Sequence, residues 1–203
     1  HSLWGNYLWN SARCLCQYFY ENPSAIQGKT VIELGAAGGL PSLACGKLGA
    51  KKVIITDIDD GDLIPNLKRN VALNFDEDNT VMEVRGHAWG EKLEQTFGKG
   101  EEKETFDIIL LSDLLFNHFC HSQLLDSCEY LSHPNTLIYV GYSHHRPWLI
   151  KEDMNLFKLA TERGFKVEYG FQRKYPPMFE NDPGDYEERS TVHVQIMRPP
   201  SHN

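Results

Sequence analysis

The sequence predicts a doubly wound α/β fold, and three observations carry that prediction. Short runs rich in Val, Ile and Leu recur along the 203 residues, as in strands buried on both faces of a parallel sheet. They alternate with stretches whose apolar residues return every three or four positions, as helices covering such a sheet would. Finally, Thr30-Val31-Ile32-Glu33-Leu34 runs into a turn of Gly and Ala only, Gly35-Ala36-Ala37-Gly38-Gly39, and then into Leu40-Pro41-Ser42. That is a strand, a tight turn and a helix start in direct succession.

The elements follow in order. Residues 9–20 read as a first helix, with Ala12, Leu15, Cys16 and Phe19 at helical spacing and Asn22-Pro23 as its stop. Strand 30–34 leads through the turn to a helix beginning near Leu40, where Pro41 is acceptable in the first turn. Residues 51–57 make the second strand and 63–74 the second helix of this alternation. Strand 81–85 closes on Gly86-His87-Ala88-Trp89-Gly90, and 97–105 is a solvated loop rich in Gly, Lys and Glu. The run 106–111 is the most strand-like and should be central. It delivers Ser112-Asp113-Leu114-Leu115-Phe116-Asn117-His118 to the edge of the sheet where such folds bind ligands. A helix over 123–131 and a buried strand over 136–140 come next. Residues 152–163 form an amphipathic helix with Met154, Phe157, Leu159 and Ala160 inward and Gly164 as its stop. Residues 165–169 and 191–197 alternate apolar and polar, as a terminal antiparallel pair would. The polar, turn-rich segment 176–189 between them is expected to be mobile. The sum is one Rossmann-like domain over 1–203, a seven-stranded sheet ending in an antiparallel hairpin.

A chain of this length can bury ~70% of its unfolded surface, enough for a full core. The formal net charge is −8, from 20 Lys and Arg against 28 Asp and Glu. No basic stripe is offered to a phosphate backbone, so no nucleic-acid partner is expected. No stretch reads as a transmembrane span or signal peptide, and a cytoplasmic protein with no membrane partner is expected. The five cysteines (Cys14, Cys16, Cys45, Cys120 and Cys128) have no framework spacing and read as reduced thiols. His118, Cys120, His121 and Cys128 match no zinc spacing, and no metal is expected. The chain begins at His1, as it would if an N-terminal segment had been removed.

The glycine turn and a second residue define the chemistry. Asp57 ends the second strand 22 positions after Gly35 (57 − 35), about the distance at which an acidic residue meets a ribose diol. A nucleoside-containing cofactor is therefore expected. The turn lacks the G-x-G-x-x-G spacing of pyrophosphate binders, and Glu33 precedes it, suited to a ligand with an ammonium and no phosphates. S-adenosylmethionine is such a ligand. Trp9 reads either as a core anchor or as an aromatic lid, and Trp89 either as core or as a flat face for adenine. Asp113 reads either as a hydrogen-bond partner for an acceptor amine or as a helix N-cap. Phe116 and Leu115 would wall the acceptor site and desolvate the amine. Tyr142 lies on the ligand edge and reads as lining the acceptor channel. Among His118, His121, His144 and His145, none is singled out as an essential base.

Glu33-Leu34-Gly35-Ala36-Ala37-Gly38 with Asp57, Ala88-Trp89-Gly90 and Ser112-Asp113-Leu114-Leu115-Phe116 together resemble the seven-strand S-adenosylmethionine-dependent methyltransferases. Within these the chain is similar to the lysine methyltransferase group that modifies non-histone proteins. The resemblance takes in Gly5-Asn6-Tyr7-Leu8-Trp9-Asn10, and Leu3-Trp4-Gly5, Phe116-Asn117-His118, His145-Arg146-Pro147-Trp148 and Pro177-Met178-Phe179 with Arg189-Ser190-Thr191-Val192 narrow the likeness further. They point to the fungal branch that methylates the N-terminal amine and a lysine of elongation factor 1-alpha. The resemblance implies cofactor contacts at Trp9, Gly35, Ala36, Ala37, Asp57, Trp89 and Ser112, with Asp113 and Phe116 at the reacting amine. Phe116 stands where the group often has Tyr, which leaves an aromatic wall without a phenolic oxygen. It further implies a monomer acting on elongation factor 1-alpha, with a small-molecule amine such as nicotinamide as the alternative substrate.

Overall fold

The computed structural model describes Gly5 and residues 7–200. Leu3, Trp4 and Asn6 of the N-terminal motifs lie outside the described residues. Strands β1 (Thr30–Leu34), β2 (Lys52–Asp57), β3 (Met82–Gly86), β4 (Phe106–Ser112), β5 (Ser132–Tyr142), β6 (Lys166–Lys174) and β7 (Thr191–Arg198) form one sheet. Its order is β3-β2-β1-β4-β5-β7-β6. Strands β1 to β5 pair in parallel, and β7 inserts antiparallel between β5 and β6. The expected α/β class, seven strands and terminal hairpin are all present.

Side-chain alternation along the strands divides the core into two layers. Ile32, Leu34, Ile54, Ile109, Leu111 and Ile138 pack on one face, beneath α5 (His121–Leu131) and α6 (Ile150–Glu162). Val31, Val53, Ile55, Ile108, Leu110 and Tyr139 pack on the other. There α1 (Asn10–Glu21), α2 (Leu40–Lys47) and α3 (Leu63–Asn74) cover them with Leu15, Phe19, Cys45 and Leu67. Each such side chain contributes about 1.5–3 kcal/mol by leaving water, which is why the central runs contain so little polarity.

The differences from expectation have local causes. The first helix starts at Asn10, with Trp9 as the residue before it. The loop 97–105 is flanked by a short helix α4 (Leu93–Phe97) whose Phe97 is buried against the core. Strand β5 begins at Ser132 and β6 runs to Lys174, because backbone pairing with β4 and β7 extends them through polar residues. In α6 the buried residues are Asp153, Leu156, Phe157 and Ala160, with Met154 and Leu159 only partly covered.

The segment 176–189, expected to be mobile, is anchored at Pro176, Phe179 and Arg189. Asn10 Nδ2 donates to the Pro176 carbonyl at 2.7 Å, and buried Arg189 donates from Nη1 to the Phe179 carbonyl at 2.8 Å. Phe179 packs edge-on against Tyr7, ring centroids 5.3 Å apart. A short helix α7 (Tyr186–Ser190), capped by Asp185 accepting from the Glu188 N–H, then delivers the chain into β7. No described helix is long and apolar enough to cross a membrane.

Strand order reverses between β1 and β4, and the crevice outside their carboxyl ends is where open α/β sheets bind ligands.

Candidate active site

The turn after β1 is built from unusual backbone. Gly35, Ala37 and Gly39 have φ of 64°, 50° and 73°, all in the left-handed region. For Ala37 this costs about 1–2 kcal/mol, and its N–H finds compensation in Asp57 Oδ2 at 2.7 Å. Gly35 has a second reason to be glycine: a Cβ there would lie 2.9 Å from both Leu114 Cδ2 and Trp89 Cζ2. At Gly38 a Cβ would meet nothing within 4 Å, so the turn leaves open space above it.

Glu33 does not face that space, contrary to expectation. It is fully buried, and its Oε2 accepts from the Ser42 N–H at 3.1 Å and the Ser42 hydroxyl at 2.6 Å. The carboxyl thus ties the end of β1 to the first turn of α2 inside the fold. Burial pushes its pKa up to about 8.

A cavity of about 340 Å³ sits over the carboxyl ends of β1, β2 and β4, in the size range of small-ligand sites. Trp9, Gly35, Ala36, Ala37, Asp57, Trp89, Ser112, Asp113 and Phe116 all line it. Asp57 accepts the Ala37 N–H on Oδ2 and the Ile58 N–H on Oδ1, each at 2.7 Å. Each oxygen retains a further lone pair, which a diol can use. Burial raises the Asp57 pKa, and the two backbone donors oppose that rise. Trp89 packs on the core and lines the cavity, so its two readings are compatible. The Trp9 ring lies edge-on to His145, centroids 4.8 Å apart, and is likewise both packed and cavity-lining. Open space over Gly38, spare acceptors on Asp57 and the apolar Trp89 together fit the adenosyl part of S-adenosylmethionine.

Asp113 follows β4 with a φ of 61°, a strained conformation for a residue with a side chain. It caps no helix: the chain turns through 118–120 before α5 begins at His121. Its buried carboxylate is instead held from two sides, Oδ2 accepting from Ser11 Oγ at 2.8 Å and Oδ1 paired with His145 Nε2 at 2.7 Å. Burial opposes a proton on His145, but the Asp113 charge and hydrogen bond prevail and its pKa is raised. Sequence reasoning missed this Ser11–Asp113–His145 chain, because the three residues come from α1, the end of β4 and the loop after β5.

Two other expectations, for Leu115 and Tyr142, are corrected. Leu115 is buried in the core and does not line the cavity, so Phe116 alone of that pair does. Tyr142 is buried away from the cavity, where its hydroxyl accepts from Gln195 Nε2. His118 pairs with Asp153 at 2.7 Å and His121 Nε2 with the Leu115 carbonyl at 2.8 Å, so both serve the loop after β4. Ile58, His87, Asn117, Cys120 and Gln123 also line the cavity. The first four lie in or beside runs singled out from the sequence, whereas Gln123 on α5 carries no sequence signal.

The fold and the cavity define an S-adenosylmethionine-dependent methyltransferase. Solved structures agree on the fold: ribosomal protein L11 methylase from Lactobacillus delbrueckii subsp. bulgaricus superposes with a TM-score of 0.60 at 16% identity. That alignment covers 95% of this chain and 81% of the other. TYW2 of Pyrococcus horikoshii, in complex with MeSAdo, gives 0.57 at 19% identity, covering 87% and 59%. Residues 2–163 match the model of the lysine methyltransferase family, and the chain belongs to that family. Among its relatives are the protein N-terminal and lysine N-methyltransferases efm7 of Schizosaccharomyces pombe and Neurospora crassa. The first is 44% identical, covering 98% of this chain and 80% of the relative. The second is 41% identical, covering 96% and 73%. S-adenosylmethionine as methyl donor and a protein as acceptor follow from that membership.

Proposed function

We propose that this chain methylates the N-terminal amine, and an adjacent lysine, of translation elongation factor 1-alpha, acting as a monomer. The observation that supports it is the meeting of nine residues from five segments around one cavity: Trp9, Gly35, Ala36, Ala37, Asp57, Trp89, Ser112, Asp113 and Phe116. The relatives' shared name supports the two kinds of acceptor nitrogen. In this reading Asp57 takes the ribose hydroxyls, Trp89 flanks the adenine, and Gly35, Ala36, Ala37, Ser112 and Trp9 enclose the rest of the cofactor.

S-adenosylmethionine supplies a methyl group already activated by its sulfonium. The chain's own task is to align a nitrogen and favour its neutral form, the ammonium's proton leaving to water before transfer. A terminal α-amine has a reference pKa of about 7.7–8.0 and a lysine about 10.4, so the former needs less help. Asp113, immobilised by Ser11 and His145, presents a fixed carboxylate that attracts the ammonium and orients it through its remaining lone pairs. Phe116 and Trp9 exclude water around the amine, which favours its neutral form.

The test is incubation of the purified protein with S-adenosylmethionine and unmethylated elongation factor 1-alpha, followed by mass spectrometry of the N-terminal peptide. Added methyl groups at the amino terminus and the neighbouring lysine are expected. Turnover of nicotinamide with no change in the peptide would overturn the reading.

A further inference from the structure

A second cluster stands apart from the cavity. His144 follows β5, His193 lies on β7, and Glu188 belongs to α7; one ligating atom from each lies within 4.8 Å of the other two. The two imidazole rings are 5.8 Å apart, tilted by 47°. None of the three lines the cavity. Acidic and basic side chains often gather on surfaces, but two features set this group apart.

His144 is buried and its Nδ1 pairs with Asp153 Oδ2 at 2.8 Å. A carboxylate there places the proton on Nδ1 and leaves the Nε2 lone pair available, the arrangement that orients imidazoles around metals. His193 Nε2 is buried and makes no hydrogen bond. A polar atom buried without a partner costs about 1–3 kcal/mol and calls for an explanation.

We infer that His144, Glu188 and His193 bind a divalent transition-metal ion, zinc foremost. Two imidazoles and one carboxylate are a zinc ligand set with a fourth position left for water. Calcium and magnesium favour all-oxygen ligands, and the absence of a thiolate here disfavours copper(I). Zinc–nitrogen and zinc–oxygen bonds of about 2.0–2.2 Å draw the ligand atoms closer than they now stand, and the half-buried Glu188 side chain can swing to close the site. The ion joins the end of β5 to β7 and α7. It therefore fastens the segment carrying Phe179, whose ring packs on Tyr7 and Trp9 at the cavity wall. Its role is structural, to hold that wall in place.

The experiment is titration of chelator-treated protein with zinc by calorimetry and with cobalt by visible absorption. One ion per chain is expected, with cobalt d–d bands and no thiolate charge-transfer band. Glu188→Gln and His193→Ala each weaken binding at least about tenfold, and Asp153→Asn does so by roughly 10- to 100-fold through His144. Zinc raises the melting temperature of the wild type and not that of His193→Ala. Absence of saturable binding at micromolar zinc would overturn the inference. So would a thiolate band, or unchanged affinity in Glu188→Gln, a half-exposed substitution that leaves the core intact.

Discussion

Asp57 and Asp113 are both carboxylates at strand ends, yet their surroundings assign them different work. Asp57 braces the glycine turn through two backbone N–H groups and keeps lone pairs for hydroxyls. Each hydroxyl bond to a charged acceptor contributes about 1.5–3 kcal/mol. Asp57→Ala therefore weakens S-adenosylhomocysteine binding by at least on the order of 10- to 100-fold in calorimetry; unchanged affinity would remove Asp57 from the ribose site. Asp113→Asn leaves that affinity nearly unchanged and lowers kcat, because the bracing partners Ser11 and His145 hold a side chain of the same shape. A parallel loss of cofactor affinity would instead make Asp113 part of the cofactor's binding surface. Gly35→Ala brings a Cβ to 2.9 Å from Leu114 and Trp89 at a left-handed φ. It should lower the melting temperature and cofactor affinity together, and normal values for both would refute the close-packing argument. At this scale the sequence was informative where spacing carries chemistry, as for Gly35 with Asp57. It was silent on Ser11 and His145, whose roles exist only once α1 and the loop after β5 meet over β4. Glu33 misled for the opposite reason: a charged residue beside a glycine turn reads as ligand-facing, but strand alternation turns it into the fold.

At the scale of elements, that buried Glu33 couples strand β1 to helix α2, and its titration reports on the coupling. The folded chain keeps the carboxyl protonated up to about pH 8, against an ordinary value of 4.5 when exposed. Folding thus takes up a proton between those values, so the stabilisation is full below pH 4.5 and is lost as the pH rises to 8. Relative to Glu33→Gln, the wild type should lose a few kcal/mol of stability between pH 5 and pH 8 in urea unfolding. A pH-independent difference between the two proteins would contradict a protonated Glu33. The central strands were legible because runs such as 106–111 are apolar without a break, which only a doubly covered strand explains. The ends of β5 and β6 were not, since their polar residues are held by pairing with β7 rather than by burial. Helix α7 and the tied segment before it escaped notice because their anchors, Arg189 and Phe179, bind partners more than a hundred residues away or through the backbone.

For the whole molecule, parallel pairing of five strands and a late antiparallel insertion place the switch in strand order between β1 and β4, and the cavity follows from that switch. A monomeric elution volume in gel filtration, unchanged by added S-adenosylhomocysteine, is expected of an enzyme whose site draws on one chain; a dimer would reopen the account of substrate access. Strand order could not be read from the run of elements alone, because nothing in β7 itself says that it slips between β5 and β6. The family-level motifs were readable because each is short and local, whereas the acceptor side is assembled from distant parts. The most direct measurement is a crystal structure with S-adenosylhomocysteine. The account predicts the ribose on Asp57, the adenine beside Trp89 and the sulfur facing Asp113 and Phe116; a ligand elsewhere, or an Asp57 carboxylate without a sugar hydroxyl, would contradict it.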